Sequence, residues 1–186
     1  MHAISPPKIL IALVWIFISK AYASESDLRR IEFATDCAAV NLLMSELPDQ
    51  YVGVRDQLVV VGRMMLSIAA ENHLAHFGSM PTNGESIERR NDAAERLLSS
   101  YEKNPEDIIQ LYYNCDAVRS ELGSIGLDDA RGMETYIKNF NPNLQSPLDE
   151  NDQRYMVILQ LFQISIDRIT ELLEENNTSF RDVWDF

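Results

Sequence analysis

Apolar residues recur at steps of three and four through six successive stretches of this chain. Only Val59, Val60 and Val61 have the β-branched character of a strand, and no second candidate exists to pair with them. This patterning predicts an all-α fold: a single bundle of five to six helices, mostly antiparallel because most connections are short.

The first stripe, Phe33, Cys37, Val40, Met44 and Leu47, is stopped by Pro48. It would be opened by Ser24 or Ser26, with Glu25 and Asp27 suiting the positive end of the helix dipole. A second helix is expected over about 54–77, with Val54, Leu58, Val61, Met65 and Ile68 in line. Val59, Val60, Met64 and Leu66 make its other faces apolar too, which assigns it the middle of the bundle. Residues 78–84 are dense in helix breakers, and a polar, peripheral helix over 86–102 follows, turning Ile87, Ala94, Leu98 and Tyr101 inward.

Asn104-Pro105-Glu106-Asp107 reads as a helix start. It introduces Ile108, Leu111 or Tyr112, Cys115, Val118 and Leu122, with Gly123 and Gly126 as the stop. Asp128 would cap a shorter helix carrying Ala130, Met133, Ile137 and Phe140. Asn141-Pro142-Asn143 breaks it, and Ser146-Pro147-Leu148-Asp149 opens the last and most regular stripe, Tyr155, Leu159, Phe162, Ile166, Ile169 and Leu173.

Residues 1–23 read as a cleavable signal peptide. Lys8 supplies the positive end, residues 9–19 form the apolar run, and Ala21-Tyr22-Ala23 is a small-x-small cleavage site. The run ends at Lys20, well short of the roughly 20 apolar residues that cross a bilayer. A chain exported in this way, to the periplasm or outside the cell, has no stable membrane insertion after cleavage. Residues 24–186 then form one helical domain, long enough to bury a core without many disulfides.

The two cysteines, Cys37 and Cys115, each lie on the apolar stripe of their helix. An exported chain favours their pairing, and a bridge needs their Cα atoms within about 7 Å. No Cys-x-x-Cys spacing is present to lower a thiol pKa for redox work.

Chemistry-bearing motifs are sparse. Gly-x-Ser-x-Gly, His-Glu-x-x-His and a phosphate-cradling loop are all missing from the sequence. His73 and His76 could share a helix face as half of a metal site, with Met64 and Met65 two to three turns back, but Glu71 sits round the helix from both. With Gly78 behind them they read equally as a helix C-terminus. No cofactor is implied.

The formal charge of −13 repels phosphate backbones, so nucleic acid is not an expected partner, whereas a basic protein surface is. One local rule is broken: Glu171, Glu174 and Glu175 crowd a helix C-terminus, where the dipole disfavours acids. Beyond them the overlapping sequons at Asn176 and Asn177 lead into a tail, residues 180–186, carrying Phe180, Trp184 and Phe186. These acids and aromatics are the candidate partner-binding residues. The functional expectation is an exported, non-enzymatic helical protein acting by protein–protein contact, such as an inhibitor, immunity factor or accessory subunit. Alternatives are a small-molecule or lipid carrier with a methionine-lined cavity, and a metal-binding protein or enzyme built on His73 or His76.

Overall fold

The computed structural model describes residues 8–125 and 153–176, with side chains over 25–121 and 154–175. Among the described residues there are five helices and no strand: α1 (Lys8–Met44), α2 (Val52–Phe77), α3 (Asn83–Tyr101), α4 (Pro105–Ile125) and α5 (Gln153–Asn176). The expected helix at 128–140 and the tail at 180–186 lie outside them.

The bundle is read from its cross-contacts. Leu42 faces Gly62 while Asp27 meets His76, so α1 and α2 are antiparallel. Asp36 accepts from Arg96 at 2.8 Å, and Ile31 and Thr35 lie against Ser86 and Arg89, so α3 runs with α1. Ser165 donates to the Met44 carbonyl at 2.9 Å and Ile169 packs on Ala39 and Leu43, so α5 runs against α1.

The central element is α1, not α2. It touches all four other helices, whereas α2 packs chiefly on α1. The cause is side-chain size. Ala34, Ala38 and Ala39 are buried on different sides of α1 and admit neighbours from several directions. Polar groups drawn in with them are satisfied locally: Thr35, Asn41 and Ser45 donate to the carbonyls of Ile31, Cys37 and Leu42. On α2, Leu58, Met65 and Ile68 of the expected stripe are buried, but Val54 and Val60 face outward. With its preceding turn, α2 has the length and apolarity to cross a membrane, yet it exposes Asp56, Arg63 and Glu71 and puts its apolar stripe on α1.

A second correction concerns where α1 starts. Ser24 and Ser26 do not open it; the helix is continuous from Lys8. No glycine or proline lies between Pro7 and Pro48, so nothing interrupts it. Glu25 and Asp27 instead pair along the helix, with Arg29 at 2.6 Å and Arg30 at 3.0 Å.

The polar helix α3 starts earlier than expected, because Thr82 and Glu85 form a reciprocal capping box around it. It is no mere flank. Ala93 and Ala94 join Ala39, Leu43 and Ile169 in a second core cluster, and Arg90 is buried with its Nε and Nη2 donating to Asn91. α4 runs through Gly123 to Ile125.

The main core gathers Cys37, Val40 and Met44 of α1, Leu58 and Met65 of α2, Ile108 and Ile109 of α4 and Phe162 of α5. Within it Cys37 and Cys115 are disulfide-bonded, their Cα atoms 5.5 Å apart and both sulfurs buried. The bond ties α1 to α4 across 78 residues, a closure that stabilises by about 4–5 kcal/mol on chain-entropy grounds.

Candidate partner-binding face

The two histidines serve different neighbours. Gly78, at φ 75°, ends α2 in the left-handed cap expected of it and turns Ser79 back over the helix. The Nδ1–H of His73 donates to the Ser79 carbonyl at 2.9 Å, and its ring lies 4.4 Å from that of Phe77. His73 is buried beside a cavity of about 10 Å³ between α1, α2 and α3, the lower limit for a single water. His76 points instead to Asp27 of α1, its Nδ1 3.7 Å from the carboxylate Oδ2, too long for a hydrogen bond. Arg30 donates to the other oxygen of that carboxylate at 3.0 Å.

Among the described residues no group of three histidine, cysteine or acidic side chains is placed to hold a metal. Met65 is core and Met64 packs against it, while Glu71 is exposed. Phe162, Leu43, Met44 and Met65 are all fully buried in the core.

Among the described residues a large concavity lies on the outside. A groove of about 1110 Å³, open to solvent, runs between α5 and the corner where α3 passes into α4. Tyr101, Glu102 and Pro105 form one wall; Met156, Val157, Leu159, Gln163, Ile166 and Thr170 are among the α5 residues forming the other. Met156 and Val157 leave 57% and 50% of their surface exposed. The local cause is the breadth of the apolar pattern on α5. Tyr155, Phe162 and Ile169 are buried on the core side, and methionine and valine at 156 and 157 lie beyond the width that the core can cover.

The electrostatics of this face are one-sided. Tyr101 donates to Gln163 at 3.0 Å and Gln163 donates on to Asp167 at 2.7 Å. Burial, helped by the Asp167 charge, raises the Tyr101 phenol above its ordinary value and keeps it a donor. Further along, Glu171, Glu174 and Glu175 are exposed in the last turns of α5, where no basic residue answers the helix dipole. Glu171 accepts from Arg168 at 3.4 Å. Glu102, Asp167, Glu174 and Glu175 have no cationic partner among the described residues.

The three glutamates singled out from the sequence are thus brought onto the groove-bearing helix; Phe180, Trp184 and Phe186 lie outside the described residues. Sequence reasoning missed Tyr101, Glu102, Val157 and Asp167, and took Met156 only for one of the methionines of a carrier's lining. Met156 and Val157 carried a usable signal, as apolar residues off the stripe. Tyr101 and Glu102 carried none, since only the tertiary fold places them opposite α5. No family model, no curated protein and no solved structure matches the chain.

Proposed function

We propose that this is an exported protein whose leader, residues 1–23, is removed, and whose α5 face binds another protein, in the manner of an inhibitor, immunity factor or accessory subunit. The observation that carries this reading is the open groove along α5, with Met156 and Val157 exposed in it and acids unanswered beside it. Apolar side chains left in solvent beside a concavity are characteristic of contact surfaces, and acids around them select a basic partner. Export is supported by the leader and by the Cys37–Cys115 bond, since disulfides are favoured in oxidising compartments such as the periplasm or the cell exterior.

The test uses the mature chain as bait in a cell-envelope and culture-medium extract of its source organism, beside a Met156→Asp variant of equal helicity. A partner retained by the first and lost from the second supports the proposal. Identical capture by both would remove the α5 face from it, and an intact leader on the purified protein would remove export.

A further inference from the structure

Resting on the reading of residues 1–23 as a leader, we infer that the end of the bundle nearest that leader is a membrane-contact surface. While the leader is held in a bilayer, Leu28, Leu74, Phe77 and Met80 rest in the interfacial layer of the lipid.

Register is the first reason. α1 is one helix from Lys8 to Met44, but its neighbours stop short of its N-terminal part. Asp27 stands beside His76, the last residue but one of α2, and Ile31 and Thr35 lie with Ser86 and Arg89, in the first two turns of α3. The end of α2 and the start of α3 are therefore level with the first turns that follow Ala23. Residues 8–24 run on past them for about 25 Å as helix, and the apolar run 9–19 lies in that extension.

The apolar side chains left in solvent at this end are the second reason. Phe77 and Met80 keep about half of their surface exposed, and Leu28 and Leu74 more than a third. Phe77 is not a frayed terminus: its ring lies 4.4 Å from that of His73 and 4.4 Å from that of His76. Gly78 turns the chain immediately behind it and brings Met80 to the same end.

Charge agrees with lipid as the occupant. Three acids of this end are already engaged, Glu25 by Arg29, Asp27 by Arg30 and Glu85 by the backbone and hydroxyl of Thr82. In the sequence Lys20 and Tyr22 separate the apolar run from the bundle, and both residue types favour the headgroup layer. The leader holds this end at the lipid, so a contact too weak to bind on its own is made effective by the tether. A cut after Ala23 removes the tether and releases the bundle. Met156 and Val157 belong to the opposite end, since α5 runs against α1 with Ser165 at Met44.

The experiment compares the uncleaved and the mature chain on phosphatidylcholine vesicles, plain or brominated at shallow acyl-chain carbons. Trp15→Phe and Trp184→Phe remove the native tryptophans, and Met80→Trp or Met156→Trp supplies a single reporter. Flotation reports binding, and bromine quenching reports which end meets the lipid. The uncleaved chain is expected to float, with Met80→Trp losing most of its emission and Met156→Trp keeping it. At the same lipid concentration the mature chain is expected to bind at least about tenfold more weakly. Phe77→Asp should relieve the quenching at position 80 while the uncleaved chain still floats. Leu28→Asp, on a different helix, should do the same, which separates lipid contact from local unfolding of α2.

A floating chain whose two reporters are quenched alike, or not at all, would overturn the contact surface and leave the leader standing. An uncleaved chain that fails to float would remove the leader and this inference with it. A dimer of the mature chain by light scattering, abolished by Phe77→Asp, would make a second copy the occupant and overturn the lipid.

Discussion

Gly62 sets how closely the first two helices approach. A Cβ there would lie 2.9 Å from Cγ of Leu42 and 3.3 Å from the Ala38 carbonyl oxygen. The leucine can yield and the backbone carbonyl cannot. Gly62→Ala therefore trades a small clash against better helix propensity, whereas Gly62→Leu is expected to cost about 1–3 kcal/mol, read from urea midpoints. Asp36 gives a less intuitive prediction. Burial, reinforced by Glu32, raises its carboxyl above the usual 3.8 despite the Arg96 guanidinium. A raised folded pKa means stability that is full below 3.8 and lost as pH rises through the folded value. Asp36→Asn, neutral throughout, should match or exceed wild type at neutral pH and lose that advantage on acidification, as thermal midpoints across pH would show. A variant much less stable at neutral pH would show instead that the ion pair dominates. At this scale the cysteines were legible, because their stripe positions pointed both sulfurs inward. Gly62 was not, since its role depends on what another helix places opposite it.

Helix boundaries were legible where the chemistry is local. Pro48, Gly78 and Pro105 punctuate the chain much as expected, and Thr82 with Glu85 is a readable signature that moves the start of α3 ahead of 86. Hydrogen bonds from the Thr82 backbone and side chain hold the Glu85 carboxyl below its usual 4.5. Its stabilising effect is present above 4.5 and fades as pH falls through the lowered value. Glu85→Gln should flatten that acid limb, and Thr82→Ala should speed hydrogen exchange of the first-turn amides of α3 while those of α4 stay protected. The hierarchy among helices was not legible. Hydrophobicity alone singles out α2, but centrality went to α1, whose alanines let neighbours approach from several sides. Packing distance depends on small side chains, which a count of greasy residues undervalues.

For the molecule as a whole, the disulfide is the main covalent constraint on unfolding. Cys37→Ala with Cys115→Ala should lower stability by up to about 4–5 kcal/mol in urea titrations, with helicity retained in dilute buffer. Because both sulfurs are buried, wild type should resist reduction until it is partly unfolded, which thiol titration with and without denaturant would reveal. If residues 1–23 are the proposed leader, their removal should leave this scaffold intact. A chain beginning at Ser24 is expected to keep the thermal midpoint of the longer one; a fall of several degrees would make the leader part of the bundle.

The sequence by itself determined the fold class, the pairing of the two sulfurs and most helix ends, because apolar period, proline, glycine and capping residues act within a few positions of themselves. Only the tertiary structure decided which helix is central and that an acidic-edged groove lies along α5. Both depend on surfaces from segments far apart in the chain: Tyr101 and Glu102 become walls for Met156 and Gln163 only when α3 and α5 are laid side by side.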